Sequence, residues 1–118
     1  MKDAIRRRGE NISSQEVETA LLTHPAVLDC AVYAVPSEMA EDEVAAAVVL
    51  KTGAAVDPLD LIKHIEPRLP YFAIPRFVRL MAEVPRTDTQ KVKKLELRAE
   101  GAVPGTFDLT KSGYKVSR

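Results

Sequence analysis

The sequence predicts a small α+β domain, with an N-terminal β-hairpin and a mostly antiparallel three-stranded sheet packed by helices. The first observation is three runs of strand length at residues 27–35, 44–50 and 77–82, which are rich in apolar and β-branched side chains. The second is a pair of segments with helical spacing, each of which follows a capping pattern. In this order of elements the helices are expected to cover one side of the sheet.

The first residues have the pattern of a hairpin. Residues 3–8 can extend as a strand. Gly9, Glu10 and Asn11 are typical of a turn, because glycine and asparagine tolerate a positive φ. The return strand is expected to begin at Ile12.

Two helices are predicted from the residues at their ends. Ser13-Ser14-Gln15-Glu16 matches a capping box, in which the first hydroxyl accepts a hydrogen bond from an amide three residues later. Pro25 is expected to end the helix that follows. Asp57-Pro58 predicts the start of the second helix, with proline in its first turn. The run between these helices at 44–50 is apolar throughout, which predicts a strand buried on both faces.

A polar loop and a short basic helix follow the third strand. Residues 85–90 are polar or turn-forming, and Lys91 comes directly after them. Val92, Leu95 and Ala99 recur at helical spacing and predict one apolar face of the helix. These features place Lys91 at the tip of a turn, on a surface that faces away from the core.

The composition is typical of one soluble domain. The chain has 118 residues, of which 46% are hydrophobic and 29% charged, and no apolar run reaches the roughly 18–20 residues of a membrane span. Residues 1–101 are expected to form the domain, and residues 102–118, which have no clear period, an irregular tail. The formal net charge of zero argues against a general role in nucleic-acid binding.

Cysteine and histidine usage argues against several kinds of site. The single cysteine, Cys30, cannot form an internal disulfide, which favours a reducing, cytoplasmic setting. It lies in an apolar strand, where a small core residue is expected rather than a nucleophile. His24 and His64 are widely spaced, so no metal site is predicted.

Basic side chains gather near both ends of the chain. Residues 1–10 contain four basic and two acidic side chains, and residues 86–98 contain five basic and two acidic ones. Two basic regions on a neutral domain could frame an anionic ligand such as a phosphate. Solvated surface charge is the alternative, and composition alone leaves both open.

Two long stretches resemble a known family. The start of the C-terminal domain of acyl-CoA synthetases is similar to RRRGENISSQEVETALLTHPAVLDCAVYAVPSE, and its end is similar to RLPYFAIPRFVRLMAEVPRTDTQKVKKLELR. These enzymes belong to the superfamily that includes nonribosomal-peptide adenylation domains and firefly luciferase. The resemblance runs from about Lys2 to Arg98, with several motifs in the same order and spacing, which is far more specific than any one motif.

The resemblance implies a two-step reaction in which ATP and coenzyme A are substrates. A carboxylic acid reacts with ATP to give an acyl-adenylate and pyrophosphate, and the thiol of coenzyme A then displaces AMP. In this family a large N-terminal domain binds ATP and the acid, and it is expected to hold the Mg²⁺. The small C-terminal domain rotates between the two steps. Alone it is expected to bind no cofactor and to be inactive.

Lys91 aligns with the adenylation lysine of this family. Negative charge crowds together when the carboxylate attacks the α-phosphate of ATP, and a cation held against both groups stabilises the transition state. The long stem of lysine lets a hinged domain deliver this charge into a closed site. The family usually has glycine just before this lysine, whereas this chain has Gln90.

The resemblance also assigns roles near the N-terminus. Lys2 and Asp3 fall at the hinge of the family, where a few residues absorb the rotation. Gly9, Glu10 and Asn11 align with a hairpin near the pantetheine tunnel in the thioester-forming pose. Glycine suits that position because it lets the backbone approach a ligand closely.

Three neighbouring arginines, Arg6, Arg7 and Arg8, are candidates for contacts with the phosphates of coenzyme A. In a strand Arg6 and Arg8 share one face and Arg7 takes the other. Solvated surface charge is again the alternative.

Three functions stay open at this point. The main expectation is a fatty-acid or carnitine-type CoA ligase in the cytoplasm, whose partner is its own large N-terminal domain. The second is an adenylation domain that loads a carrier protein, although KVKKLELR from the lysine onward favours the CoA ligases. The third is a non-catalytic module that holds a nucleotide or an acidic partner. An isolated domain with an uncovered face could also self-associate.

Overall fold

The computed structural model describes residues 4–7, 9–36, 42–89, 91–101 and 103–116, without the side chains of residues 4, 6 and 7. The assignments made above for Lys2, Asp3, Arg8 and Gln90 lie outside this description. The strands and α-helices of the described part are β1 (Ala4–Arg7), β2 (Glu10–Ser13), α1 (Ser14–Leu22), β3 (Val27–Pro36), β4 (Asp42–Leu50), α2 (Pro58–Ile65), β5 (Phe77–Leu80), α3 (Lys94–Glu100) and β6 (Phe107–Asp108).

β1 and β2 form the predicted antiparallel hairpin. Arg7 pairs with Glu10, so only residues 8 and 9 lie between the paired positions, and Gly9 has a φ of +83°. Glu10 and Asn11 therefore belong to the return strand, which corrects the three-residue turn predicted from the sequence. Two-residue connections are common in hairpins because their twist matches that of the strands.

Both predicted capping patterns are present. The hydroxyl of Ser13 accepts a hydrogen bond from the amide of Glu16 at 3.3 Å. The carboxylate of Asp57 accepts one from the amide of Leu59 at 2.9 Å. Each bond satisfies an amide that has no partner inside the helix, so α1 and α2 begin where the sequence predicts.

The sheet has the strand order β3-β4-β5-β6. β4 pairs antiparallel with β3 and parallel with β5, and β6 pairs antiparallel with β5. This arrangement confirms the predicted α+β fold with a mostly antiparallel sheet. β4 is buried at every position except its two ends, as its continuous apolar run predicted. The sheet has four strands rather than three, because the two residues of β6 are too few to show a period.

Helices lie on both sides of the sheet, so the prediction of one covered side is wrong. α1 and α2 bury their apolar faces against one face of β3 and β4, together with Ile5 and Ile12 of the hairpin. On the other face, Leu97 of α3 and Val84 pack against alternate residues of the same strands. Side chains alternate along a strand, so a strand that is apolar throughout needs cover on both faces.

α3 turns a different face to the sheet from the one predicted. Leu97 is fully buried, whereas Leu95 is 83% exposed and Ala99 is also exposed. The helix begins at Lys94, so Val92 precedes it and does not share its period. Lys94, which is half-buried, and Leu97 are three residues apart and share the face turned to the sheet, whereas Leu95 and Ala99, four residues apart, share the exposed face.

The tail was predicted to be irregular, but its middle is ordered into a strand and a 3₁₀ turn. Asp108 of β6 accepts two hydrogen bonds from the guanidinium of Arg76, at 3.2 and 3.3 Å. Phe107 and Tyr114 are partly buried against the core that α1 and α2 cover. The described tail residues are therefore packed onto the domain, although they carry no periodic pattern that would predict it.

Candidate functional site

Lys91 lies in a short hairpin loop formed by residues 86–92. Arg86 and Val92 form an isolated antiparallel bridge that closes the loop. The amide of Thr87 donates to the carbonyl of Lys91 at 2.8 Å, and the amide of Lys91 donates to the hydroxyl of Thr87 at 3.2 Å. These bonds hold the backbone of Lys91 in place while its side chain is exposed.

Ion pairs connect the loop and α3 to the elements beneath them. Arg86 Nη2 lies 2.5 Å from Asp29 Oδ2 on β3, and Lys94 Nζ lies 3.1 Å from Glu18 Oε2 on α1. The same carboxylate of Glu18 accepts a hydrogen bond from the amide of Val32 at 2.8 Å. Because Val32 is on the edge strand β3, this side chain satisfies an amide that has no strand partner.

An open cleft of about 940 Å³ lies beside the loop. Four basic side chains line the cleft, those of Arg86, Lys91, Lys93 and Lys94. Three of them lie 2.5–3.5 Å from a carboxylate, and Lys91 is the exception. Within the described part of the chain the ammonium group of Lys91 has neither a carboxylate nor a hydrogen-bond acceptor as a partner. The cleft therefore presents one cation that no neighbouring charge neutralises in the described ranges.

The hairpin turn is separate from this cleft. Gly9, Glu10 and Asn11 are exposed, and none of them lines the cleft. A Cβ atom added at Gly9 would meet no atom within 4 Å, so the backbone there is open to the outside. The side chains of Arg6 and Arg7 lie outside the description. The two groups of residues that the resemblance assigns to different steps thus occupy different surfaces.

Cys30 borders the cleft, but its thiol is unsuited to nucleophilic attack. The residue is buried, and its sulfur donates to the carbonyl of Glu18 at 3.5 Å. Burial, together with the nearby carboxylates of Glu18 and Asp29, raises the pKa of Cys30 to about 12. A thiol with this pKa stays protonated at neutral pH and is inert. Cys30 is a small core residue, as the sequence predicted.

His24 and His64 face each other across the contact between α1 and α2. Their ring centroids are 4.8 Å apart, and His64 Nε2 lies 2.8 Å from the hydroxyl of Thr23. Desolvation, followed by the charges of Arg68 and His24, lowers the pKa of His64. Among the described residues no group of three or more His, Cys, Asp or Glu side chains is arranged to hold a metal ion. The two histidines therefore connect the helices.

The ion pairs around the loop are the part of the site that the sequence did not predict. Asp29 and Arg86 are 57 residues apart, and no local pattern links charges at that separation. One signal was present, because Asp29 is the only charged residue in the apolar run at 27–35. A carboxylate among strand-forming residues needs a polar partner when it is partly buried.

Comparison of the sequence with models of known protein families identifies the family of this chain. Residues 16–91 match the family model of the AMP-binding enzyme C-terminal domain. The chain belongs to this family. The matched range runs from the first turn of α1 to Lys91, so it contains the strands β3, β4 and β5 as well as the loop. It confirms the resemblance on which the role of Lys91 was based, while the role itself stays a prediction.

Known proteins that are similar to this chain include ligases and synthetases, according to their names. A peroxisomal trans-cinnamate:CoA ligase from Petunia hybrida is 42% identical over 91% of this chain and 19% of the relative. The crystal structure of an acyl-CoA synthetase from Brucella canis has a TM-score of 0.76 and 36% identity, over 82% of this chain and 18% of that one. An amide bond synthetase from Marinactinospora thermotolerans gives 0.78 and 34%, over 83% and 20%. The chain thus spans about a fifth of the length of these proteins.

Proposed function

We propose that this chain is the mobile C-terminal domain of an ATP-dependent, AMP-forming CoA ligase, and that Lys91 is its adenylation lysine. The observation that carries this proposal is the difference in ion pairing among the four basic side chains of the cleft. Arg86, Lys93 and Lys94 each lie against a carboxylate, whereas the exposed Lys91 has no such partner in the described residues. A charge without an internal counterion is available to a substrate that another domain holds.

The chemistry of the first step explains why such a charge is needed. The substrate carboxylate attacks the α-phosphate of ATP, the bond to pyrophosphate breaks, and an acyl-adenylate forms. Two anionic groups approach each other, and the ammonium of Lys91 stabilises their combined charge in the transition state. The loop supplies a fixed backbone, and the flexible stem of lysine supplies reach. We place the Mg²⁺ that accompanies ATP in the large domain.

We assign the second step to the other surface of the domain. In that step the thiol of coenzyme A attacks the acyl carbon, and AMP leaves. The exposed turn at Gly9 would then lie near the pantetheine arm, with Glu10 and Asn11 beside it. The open space around Gly9 supports this assignment, because a backbone without a side chain permits close approach.

Lys91→Ala in the full-length enzyme tests the assignment of the two steps. We expect the acid-dependent release of pyrophosphate from ATP to fall by about 10²–10³-fold, the usual effect of removing one charge-stabilising group. Thioester formation from a supplied acyl-adenylate should be retained, because that step uses the other surface. The matched control is Lys51→Ala, which removes an exposed lysine in the loop after β4.

Two outcomes of this experiment would contradict the proposed assignments. An unchanged rate of pyrophosphate release would show that Lys91 is not the adenylation lysine. Equal losses in both half-reactions would show that the two surfaces are not divided between the two steps. We also expect the 118-residue chain alone to have no ligase activity, because the acid and ATP sites are proposed to lie in the large domain.

The proposal also includes the type of carboxylic acid substrate and the acceptor of the acyl group. We infer a fatty-acid or carnitine-type substrate, and the name of the petunia relative adds cinnamate-like acids to the panel to be assayed. Coenzyme A is the proposed acceptor, with a carrier protein as the alternative. The amide bond synthetase from Marinactinospora shows that a related domain also occurs with a different product. Replacing coenzyme A by a phosphopantetheinyl carrier or by an amine in the second half-reaction distinguishes these acceptors.

The location of the enzyme is likewise proposed. We infer a cytoplasmic enzyme, whereas the petunia relative is peroxisomal by name. No helix in the described ranges is long and apolar enough to cross a membrane. Imaging of the tagged full-length enzyme distinguishes the two compartments.

A further inference from the structure

The hydrogen bonds within the Lys91 loop fix its shape but not its direction. Besides the bridge between Arg86 and Val92, the amide of Lys93 donates to the carbonyl of Pro85 at 2.9 Å. All of these bonds join one side of the loop to the other. Val84, just before the loop, is buried in the smaller core under α3, and Val92 packs against that core, so apolar contacts hold the ends of the loop. Polar contacts with the rest of the domain can then adjust where Lys91 points.

The side chain of Arg86 makes a polar contact that joins the base of the loop to β3. Its Nη2 atom lies 2.5 Å from Asp29 Oδ2, and the two side chains are 31% and 33% exposed. The other oxygen of Asp29 accepts a hydrogen bond from the amide of Cys30 at 2.8 Å. The carboxylate is thus fixed to the backbone of β3, and it fixes the base of the loop in turn.

The alternation of side chains in β3 places Asp29 on the correct face for this contact, and a bulge turns Val27 to the opposite face. Val27 pairs with Leu50 and Asp29 with Val49, so Leu28 is an extra residue in β3. In a regular strand without the bulge, Val27 and Asp29 would point to the same face of the sheet, because they are two residues apart. With it, Val27 joins the core under α1, and Asp29 falls in step with Ala31 on the face that carries the loop.

We propose that the Arg86–Asp29 ion pair is a positioning device that orients Lys91 for adenylation, an inference that rests on the role proposed for Lys91. Neither residue is assigned a contact with the substrate. The pair acts through the loop, whose closing bridge begins at Arg86 itself. Displacement of a catalytic group by about 1 Å costs on the order of 10²-fold in rate, so a small rotation of the loop has a large effect.

Partial exposure of the pair distinguishes this role from a role in stability. Ion pairs that are open to solvent contribute little to folding, because water screens the charges and two side chains lose their freedom. Loss of the pair should therefore affect the direction of the loop much more than the folding of the domain. This difference makes the proposal testable.

The test uses the full-length enzyme with Asp29→Asn and Arg86→Ala. Asparagine retains an oxygen for the amide of Cys30 and replaces the charged oxygen that Arg86 meets by an amide nitrogen, which cannot accept a hydrogen bond. We expect kcat for pyrophosphate release to fall at least about tenfold in both variants, with KM for ATP nearly unchanged. The rate of thioester formation from supplied acyl-adenylate should stay at the wild-type value.

Two further variants separate positioning from general damage. Arg86→Lys keeps a cation that can reach Asp29, so it should recover part of the adenylation rate lost in Arg86→Ala. Glu100→Gln removes another partly exposed ion pair of this domain, the 2.7 Å contact with Arg79, and should leave both half-reactions unchanged. The thermal unfolding midpoints of Asp29→Asn and Glu100→Gln should be similar.

The outcomes distinguish this proposal from the proposed function. If Lys91→Ala abolishes adenylation while Asp29→Asn and Arg86→Ala resemble Glu100→Gln, the positioning role is wrong and the role of Lys91 stands. If Asp29→Asn lowers both half-reactions together with the unfolding midpoint, the pair is structural and the positioning role is again wrong. If Lys91→Ala itself leaves adenylation intact, the proposed function fails and the positioning role fails with it.

Discussion

The loop around Lys91 and the hairpin around Gly9 are attached to the same domain by different kinds of contact. The loop is held by partly exposed ion pairs, among them Arg86–Asp29 at the bridge that closes the loop, and by Val92, which packs against the smaller core under α3. The hairpin depends on backbone pairing and on apolar side chains such as Ile12, which is 1% exposed. Both surfaces face outward, but only the hairpin is anchored in the main core.

This difference corresponds to what each proposed step requires. Burial of apolar side chains contributes most of the free energy of folding, whereas exposed ion pairs contribute about 0–1 kcal/mol each. The hairpin presents its backbone, so its position should follow from the core beneath it. The loop presents one charge at the end of a long side chain, so its direction has to be set by local polar contacts. Substitutions in the hairpin core should therefore affect stability, and substitutions of the loop contacts should affect rate.

Ile12→Ala should give the largest change in stability. Ile12 pairs with Ile5 across the hairpin and packs in the core under α1, so its truncation leaves a cavity. We expect the free energy of unfolding of the 118-residue chain to fall by about 2–5 kcal/mol, measured by urea denaturation. Leu22→Ala, at a position that is 49% exposed, serves as the control and should change stability by less than about 0.5 kcal/mol. Equal effects of the two substitutions would show that the core does not hold the hairpin.

Gly9→Ala should have a smaller effect on stability and a selective effect on rate. Gly9 and Gly53 have φ values of +83° and +81°, and an added Cβ would meet no atom at either position. Both alanine variants should therefore lose a similar free energy of unfolding, about 1–2 kcal/mol, from backbone strain alone. In the full-length enzyme, only Gly9→Ala should slow thioester formation, because only that turn is proposed to approach the pantetheine arm.

Two outcomes with these variants would contradict the role proposed for the hairpin turn. If Gly9→Ala and Gly53→Ala slow thioester formation equally, the hairpin turn has no special proximity to the substrate. If Gly9→Ala slows pyrophosphate release instead, the assignment of the two surfaces to the two steps has to be reversed. Separate assays of the two half-reactions distinguish these results.

Much of the fold follows from local patterns in the sequence. The hydroxyl of Ser13 and the carboxylate of Asp57 cap helices where such residues are expected, and the run at 44–50 is buried on both faces because it has no polar side. The failures have local causes too. Leu95 and Leu97 are two residues apart in a short helix and lie on different faces, and the packing of the helix on the sheet decides which of them is buried. A seven-residue helix is too short for its period to show which face that is.

The candidate site was predicted less completely than the fold. Lys91 was proposed because a long motif surrounds it, since an exposed lysine on a turn has no signature of its own. Asp29 could be noticed as a charge in an apolar strand, but its partner lies 57 residues away in sequence. Strand alternation puts Asp29 on the same face as Ala31, but no local pattern in the sequence shows that Arg86 comes to lie against that face. Contacts of this kind join residues that are far apart in sequence, so local sequence patterns do not predict them.

Asp108→Asn should give the smallest change in stability, and it tests how strongly an ion pair holds the tail on the domain. Desolvation opposes its ionisation, but hydrogen bonds from Arg76 and Thr110 outweigh that effect and lower the pKa of Asp108. A lowered pKa stabilises the folded state above the unfolded value of about 3.9, and the stabilisation is lost as pH falls through the folded value. The difference in unfolding free energy between the wild type and Asp108→Asn should therefore be constant near neutral pH and shrink below about pH 4.

The loss of unfolding free energy in Asp108→Asn at neutral pH shows how much an ion pair contributes compared with the apolar core. Arg76 also lies 3.5 Å from the carboxylate of Glu43, so it keeps one anionic partner when Asp108 is replaced. Partly buried apolar side chains, including Phe107 and Tyr114, continue to hold the tail. The loss at neutral pH should accordingly be smaller than that of Ile12→Ala. A larger loss, or a difference that does not change with pH, would show that the Arg76–Asp108 pair, whose side chains are each 11% exposed, holds the tail as strongly as the core holds the hairpin.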